Sequence, residues 1–217
     1  MAKLKLAVLI SGRGSNLQSL IDACRAEDFP AEIVHVISNV PGVMGLDRAA
    51  QANIPTTVIN HTTFADRTAF EIALGEVLTQ SGAGLICLAG FMRLLSDTFV
   101  TIWHDRIINI HPSLLPAFKG LDVHRRAIDA GVRFSGCTVH FVRPDMDCGP
   151  IIAQAVVPIH ADDDAPALAA RILEQEHVIY PLAVKLIAEN RTTIVNECVT
   201  VENSSSGKSF LVNPAPD

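Results

Sequence analysis

The sequence predicts an α/β fold with a Rossmann-like, mostly parallel central sheet, helices on both faces and antiparallel strands added in the C-terminal half. In the first half, short apolar runs alternate with amphipathic segments, which is typical of βα units. The apolar runs lack polar alternation, as expected for strands buried on both faces. In the second half, two strand-like runs are joined by a segment rich in turn formers, which predicts a strand pair.

The predicted elements follow one another with short connections. The first-half strands are Leu4–Ile10, Glu32–Ile37, Thr56–Ile59 and Leu85–Leu88, and the helices are Asn16–Arg25, Leu46–Ala52 and residues 64–79. The second half is predicted to contain strands Ile107–Ile110, Gly136–Val142 and Ile151–Pro158, helix His124–Ala130 and a long helix from Ala165 to Ala188. Apolar residues of the long helix, Leu182 among them, are available for burial. A polar run beginning at Asn203 predicts a mobile tail.

Length and composition narrow the class of protein. A chain of 217 residues, 49% of them hydrophobic, is long enough for one compact domain with a sizeable core. The net charge of −6 argues against a duplex nucleic-acid binder, which needs a basic face. We predict no membrane span. The five scattered cysteines indicate free thiols in a reducing compartment, and we therefore expect a cytoplasmic protein.

A glycine-containing turn follows the first strand. The run from Ser11 to Asn16 reads Ser-Gly-Arg-Gly-Ser-Asn and leads directly into a predicted helix. Glycines at such a turn let the backbone approach a ligand, and the helix N-terminus offers unpaired N–H groups to an anion. The turn lacks the third glycine of a dinucleotide fingerprint and the ending of a Walker A loop. It is either a phosphate site or a tight turn with Ser15 or Asn16 as the helix cap.

A side-chain amide and an imidazole stand where the fifth predicted strand ends. Asn109 and His111 are two residues apart, so they point to the same face of an extended chain. This pair suits chemistry on a carbonyl carbon, because one group polarises the oxygen and the other moves a proton. If Asp147 faces the same cleft, its carboxylate favours the protonated imidazole. An Asp before Cys-Gly-Pro commonly serves its turn alone, and that is the alternative interpretation of Asp147.

Other chemistry-bearing residues have simpler interpretations. The segment from Leu88 to Leu95 leaves the carboxyl end of a strand and could line a partly apolar pocket, or enter a helix as a buried loop. His140 is interpreted as a core or cleft histidine. Cys137 and His140 have a metal-like spacing, but no second pair of ligands accompanies them, so no zinc site is predicted.

Four segments occur together and in order: Ile10 to Leu17, Leu88 to Arg93, the run Asn-Ile-His-Pro-Ser-Leu-Leu-Pro at 109–116, and Asp-Cys-Gly-Pro at 147–150. Over residues 4–190 the chain closely resembles the folate-dependent formyltransferases. The Ser-Gly-x-Gly-Ser-Asn turn narrows the resemblance to the phosphoribosylglycinamide formyltransferases. This family implies an enzyme of de novo purine biosynthesis that uses 10-formyltetrahydrofolate as cosubstrate and no metal.

The resemblance implies a role for each matching position. Catalytic residues would be Asn109, His111 and Asp147. The substrate 5-phosphoribosylglycinamide would be held by Gly14, Ser15, Asn16 and Glu176. The folate would be held by Arg67, Met92, Arg93, Leu94, Leu95, Asn109, Arg143, Pro144, Asp145, Met146 and Asp147. The chain departs from the family at Leu173, which offers no polar side chain, and at Cys148, where a Gly or Ala is expected.

The implied reaction is direct attack of the glycinamide amine on the formyl carbon. Asn109 would stabilise the oxyanion, and His111, assisted by Asp147, would protonate the departing folate nitrogen. We expect residues 1–100 to form a phosphate-binding half, 101–190 a catalytic and folate-binding half of the same domain, and 191–217 a partly mobile extension. The expected partners are small-molecule substrates, without nucleic acid or membrane, for a monomer or homodimer.

Three alternative functions would each be accompanied by a different sequence feature. A 10-formyltetrahydrofolate deformylase uses similar Asn, His and Asp residues with water as nucleophile, and we expect it to carry a further N-terminal domain. A methionyl-tRNA formyltransferase would carry a further C-terminal domain and a more basic surface. A non-catalytic folate- or nucleotide-binding module would have no use for the complete set of Asn109, His111 and Asp147.

Overall fold

A seven-stranded sheet forms the centre of the protein in a computed structural model that describes residues 2–203 and 213. The strand order is β3-β2-β1-β4-β5-β6-β7. The strands are β1 (Leu4–Ile10), β2 (Ala31–Ser38), β3 (Thr56–Val58), β4 (Leu85–Leu88), β5 (Ile107–His111), β6 (Phe134–Phe141) and β7 (Ile151–Pro158). Strands β1 to β5 pair in parallel, and β6 and β7 are added antiparallel at one edge. The predicted fold class is therefore confirmed.

Within the described residues, six α-helices connect or cover the strands. They are α1 (Ser15–Cys24), α2 (Met44–Gln51), α3 (Arg67–Ser81), α4 (Asp97–Ile102), α5 (Val123–Asp129) and α6 (Ala165–Ala188). No helix among the described residues is both long and apolar enough to cross a membrane.

The sheet separates two hydrophobic cores. Successive residues of a strand point to opposite faces, so Leu6 and Val8 of β1 pack in one core and Ala7 and Leu9 in the other. Apolar residues of α1 and α6 complete the first core, and those of α3 and α4 complete the second. The continuous apolar runs in the sequence arise from this burial on both faces.

Several features differ from the sequence-based prediction, beyond shifts of one or two residues at the ends of other elements. Helix α3 begins at Arg67, because the carboxylate of Asp66 accepts the Ala69 N–H and caps the helix at 2.8 Å. Strand β5 extends one residue further than predicted, to His111. Helix α4 was predicted only as one alternative for the chain after Leu95, without bounds. Leu182, expected to be available for burial, is 44% exposed on the outer side of α6.

A two-stranded hairpin follows α6 and was not predicted. Its strands are β8 (Thr192–Val195) and β9 (Cys198–Val201), joined by a two-residue turn. The predicted mobile tail after Asn203 lies almost wholly outside the described residues.

The pairing of β6 with β7 requires a residue without a side chain at position 136. A Cβ atom built on Gly136 would lie 1.9 Å from the Ala155 carbonyl oxygen. We expect Gly136→Ala to lower the free energy of unfolding by roughly 3 kcal/mol, as for other overpacked sites. Urea unfolding measures this change.

Gly75→Ala is the matched control. Gly75 lies in the interior of α3, and the nearest neighbouring atom to an added Cβ, in the Phe99 ring, is 4.0 Å away. We expect this substitution to raise the free energy of unfolding by about 0.5–1 kcal/mol. Equal unfolding midpoints for the two variants would contradict the steric argument.

Candidate active site

The candidate site lies where the strand order reverses. From β1 the chain moves outward to β2 and β3, whereas β4 returns to the other side of β1 and is followed there by β5. In open α/β sheets such a reversal leaves a crevice outside the carboxyl ends of the strands. The carboxyl ends of β1, β4 and β5 carry the glycine turn, the 89–95 segment and the Asn109–His111 pair, respectively.

The glycine turn presents a free helix N-terminus. Gly14 is the N-cap of α1 with a φ of 70°, and no side chain caps the helix. A Cβ on Gly14 would lie 2.7 Å from the Gly45 Cα, so this position has neither the conformation nor the space for another residue. The alternative that Ser15 or Asn16 caps the helix is therefore wrong. The first N–H groups of α1 are left for water or an anion.

Three hydrogen bonds hold this turn in place. The Arg48 guanidinium on α2 donates from Nε to the Arg13 carbonyl at 3.0 Å. On the other side, the Ser11 hydroxyl donates to Asn39 Oδ1 at 2.5 Å and accepts the Met92 N–H at 2.8 Å. The glycine turn is thus fixed to the 89–95 segment before any ligand binds.

Asn16 and Glu176 form a buried polar pair beside the turn. Asn16 Nδ2 donates to Glu176 Oε2 at 2.7 Å, which joins α1 to α6 across 160 residues of sequence. Burial raises the pKa of the Glu176 carboxyl, and the Asn16 hydrogen bond opposes part of this rise. The Asn16 Oδ1 atom is buried without a hydrogen-bond partner among the described residues. Such an atom is well suited to accept a hydrogen bond from a hydroxyl or amine group of a ligand.

His111 and Asp147 are brought together from strand and loop. His111 Nδ1 lies 3.5 Å from Asp147 Oδ1, and their side chains are only 8% and 12% exposed. His111 Nε2 lies 3.1 Å from the Phe118 carbonyl oxygen, and Asp147 Oδ2 accepts the Gly120 N–H at 2.7 Å. Both ring nitrogens therefore face acceptor oxygens, an arrangement that a doubly protonated imidazole satisfies.

His140 orients the Asn109 amide, a role that the sequence did not reveal. Its Nδ1 lies 2.9 Å from the Phe141 carbonyl oxygen, which can only accept, so Nδ1 carries the proton. Burial lowers the pKa of His140, which leaves Nε2 as an acceptor for Asn109 Nδ2 at 3.3 Å. Antiparallel pairing places Asn109 opposite His140. A correct prediction of this strand register would have placed His140 beside Asn109 and so indicated its role.

The loop carrying Asp147 connects β6 to β7 in a strained conformation. Asp147 has a φ of 49°, in the left-handed region that few non-glycine residues adopt. Gly149 has a φ of 134°, and a Cβ there would lie 2.1 Å from the Phe141 carbonyl oxygen. The close approach of the loop to β6 therefore determines where the Asp147 carboxylate stands.

The predicted folate residues differ in how far their side chains are available to a ligand. Met92 and Leu94 are 67% and 60% exposed, so their apolar side chains are free to contact a ligand. Arg93 instead lies over the Phe70 ring at 5.6 Å, and Arg67 is exposed at the start of α3. Arg143 is turned toward Asp105 and Glu197, with only 11% of its side chain exposed. Pro144, Asp145 and Met146 complete the loop before Asp147.

Tyr180 is a second residue whose role the sequence did not reveal. It is fully buried on α6, and its hydroxyl donates to the Leu88 carbonyl at 2.9 Å. Burial raises the pKa of the Tyr180 phenol well above its usual value, so the hydroxyl keeps its proton. It therefore fixes the carboxyl end of β4 at the crevice.

No group of three His, Cys, Asp or Glu side chains is arranged to hold a metal ion within residues 2–203 and 213.

A family model described as "Formyl transferase" matches residues 4–184. The chain belongs to this formyl transferase family. A phosphoribosylglycinamide formyltransferase of Haemophilus influenzae is 43% identical over 96% of this chain and 99% of its own length. The crystal structure of glycinamide ribonucleotide transformylase 1 from Symbiobacterium toebii has a TM-score of 0.89 and 45% identity, covering 92% of this chain and 94% of that one.

Some relatives of this formyl transferase are much longer than the chain itself. The trifunctional purine biosynthetic protein adenosine-3 of Bos taurus is 52% identical over 86% of this chain, which matches 18% of the longer protein. The chain thus spans less than a fifth of that relative.

We expect Glu176→Gln to change how stability depends on pH. Because the folded-state pKa of Glu176 is raised, the native protein loses stability as pH rises from about 4.3, the unfolded-state value, through the folded-state value. The glutamine keeps an acceptor for Asn16 without acquiring a charge. It is therefore expected to be more stable than the parent at pH 8, and the difference should vanish at low pH.

Urea unfolding at a series of pH values measures this dependence. Glu174→Gln, on the same helix, is the control and should track the parent throughout. A constant difference between Glu176→Gln and the parent at every pH would contradict the argument.

Proposed function

We propose that the protein transfers the formyl group of 10-formyltetrahydrofolate to the amine of 5-phosphoribosylglycinamide. The observation that carries the proposal is the placement of a free helix N-terminus at the end of β1 and an amide–imidazole pair at the end of β5. One strand separates β1 from β5, so the two ends are about 10 Å apart. That span suits a substrate with a phosphate at one end and an amine at the other.

The phosphate end of the substrate would bind at the glycine turn. The N–H groups of Ser15 and Asn16 and the positive end of the α1 dipole would hold the phosphate. The Asn16–Glu176 pair would bind the ribose. Its buried acceptor oxygens would each gain a hydrogen bond from a ribose hydroxyl group. Leu173 contributes no polar group to this end.

The chemistry would take place beside Asn109 and His111. The glycinamide nitrogen forms a bond to the formyl carbon, and the carbonyl electron pair moves onto oxygen, where the Asn109 amide donates to it. When the oxyanion collapses, the bond from carbon to folate N10 breaks and N10 takes a proton. His111 would supply that proton from Nε2, exchanging its Phe118 partner for the substrate or for a water. The glycinamide nitrogen loses one proton as it becomes an amide, and that proton would return to His111, directly or through a water.

The folate would lie between the exposed Met92 and Leu94 side chains and the loop from Arg143 to Asp147. This assigns phosphate binding mainly to residues 1–100 and catalysis and folate binding to 101–190, although Glu176 of the second half reaches Asn16 of the first. The proposal keeps the expectations of small-molecule substrates, a cytoplasmic reaction and a monomer or homodimer.

The decisive experiment follows both products with the purified chain. We expect formyl-glycinamide ribonucleotide by mass spectrometry only when both substrates are present, with little formate in the absence of the amine. Formate release that does not depend on the amine would make the protein a hydrolase. No conversion of the folate at all would leave only a binding module.

We expect Asn109→Ala and His111→Ala each to lower kcat by about 10²-fold or more, the typical size of oxyanion and proton-transfer contributions. Substrate affinity should be largely kept. His160→Ala, at an exposed histidine before α6, is the control. Steady-state kinetics at saturating substrates measures the effect, and near-normal turnover in either variant would refute the catalytic assignment.

We expect Ser15→Asp to weaken binding of 5-phosphoribosylglycinamide by charge repulsion while folate binding is kept. An acidic residue in the first turn favours the helix itself, so lost binding would not reflect unfolding. Ser15→Asn, similar in size and uncharged, is the control. Isothermal titration measures both affinities, and unchanged affinity for the nucleotide in Ser15→Asp would argue against the phosphate site.

A further inference from the structure

We propose that Glu197, at the tip of the β8–β9 hairpin, is a positioning residue for the folate-binding loop and acts through Arg143. The inference rests on the proposed function, because it concerns the loop assigned there to the folate. It gives the C-terminal hairpin a part in cosubstrate binding, although the hairpin contributes no predicted site residue.

The contacts between hairpin and loop are close and directional. Arg143 donates from Nε to Glu197 Oε2 at 2.6 Å and from Nη2 to Glu197 Oε1 at 3.3 Å. The same Nη2 atom donates to Asp105 Oδ1 at 2.8 Å. A planar guanidinium therefore joins two carboxylates from distant parts of the chain, which a lysine could not do with this geometry.

Burial distinguishes this arrangement from an ordinary surface ion pair. The Arg143 side chain is 11% exposed, compared with 61% for Glu197 and 43% for Asp105. Exposed pairs contribute little to stability, whereas a guanidinium held in place by its surroundings makes stronger and more specific contacts. The exposed partner, Glu197, can thus be altered without opening the core.

The backbone at Glu197 indicates that its side chain is needed. Asn196 and Glu197 have φ values of 50° and 59°, which makes the two-residue turn of the hairpin type I′. Asn-Gly is the favoured sequence for this turn, and glutamate is unfavourable at its second position. The turn accepts that strain at the residue whose carboxylate reaches Arg143.

Arg143 lies near the start of the loop between β6 and β7, which also carries Asp147 and Gly149. At the far end, Gly149 packs against the Phe141 carbonyl oxygen, and Asp147 accepts the Gly120 N–H. With Arg143 fixed by Glu197 and Asp105, the loop is held at both ends. Pro144, Asp145 and Met146 between these ends then start from a restricted position when the folate binds.

Glu197→Gly separates this positioning role from a structural one. The substitution gives the turn its favoured residue, so the unfolding midpoint should stay unchanged or rise. We expect the KM for 10-formyltetrahydrofolate to increase roughly fivefold, as for loss of a charge-assisted contact. The kcat and the KM for 5-phosphoribosylglycinamide should stay near the parent values.

Three companion variants sharpen the test. Glu197→Gln should raise the folate KM in the same way, whereas Glu202→Gln, on the same hairpin, should not. In an Arg143→Met background, Glu197→Gln should have no further effect, because its influence passes through Arg143. An undiminished effect in that background, or an unchanged folate KM in Glu197→Gly and Glu197→Gln, would overturn the proposal.

Hydrogen exchange of the ligand-free protein tests the same coupling without activity. Amides of residues 145–148 should exchange faster in Glu197→Gly and Glu197→Gln than in the parent and Glu202→Gln. Faster exchange in the two Glu197 variants, together with a parent that transfers no formyl group, would support the coupling and refute the proposed function. Unchanged exchange would refute the coupling even in an active enzyme.

Discussion

The site depends on the reversal of strand order between β1 and β4. Parallel strands require crossover connections, and here the connections run outward in opposite directions from the middle of the sheet. No crossover covers the carboxyl ends of β1 and β4, so the loops leaving them stay open to a ligand. The same reversal brings β5 within two strand spacings of β1 and so sets the distance between the phosphate end and the reacting end.

Buried polar groups give this crevice its specificity. Asn16, Glu176, His111 and His140 are each at most 8% exposed, and each would be destabilising without a partner. Their partners come from other elements: α6 for Asn16, the 112–122 loop for His111, and β5 for His140. The polar network is therefore assembled only by the complete fold, and it is in place before any substrate arrives.

Periodicity was a sufficient guide to the main elements of the sheet. Strand β4 and helix α6 match their predicted bounds, because an apolar run and a long amphipathic run that are each bounded by polar residues or turn formers leave little ambiguity. The bounds of helix α4 could not be predicted, because it has only six residues and its start depends on the Glu71 carboxylate, which accepts the Ser96 N–H through a tertiary contact. The β8–β9 hairpin was missed because its turn lacks glycine.

The site could be predicted only in part for similar reasons. Asn109 and His111 stand out because both lie in one short run of sequence. Asp147 was one of two open interpretations until the family resemblance assigned it a catalytic role. His140 and Tyr180 look like core residues along the chain, and only strand register and helix packing give them a polar role. Arg143 was assigned to the folate, yet the structure engages its guanidinium with residues 105 and 197, which are remote in sequence.

The Ser11 hydroxyl has a consequence for how this protein can change over evolutionary time. One oxygen both donates to Asn39 and accepts from the Met92 backbone, so it joins the turn after β1 to the segment after β4. A residue without a hydroxyl would leave an amide oxygen and a backbone N–H unpaired at once. Sequence drift at position 11 is therefore limited by two ligand-facing segments together, and neither segment can diverge independently of the other.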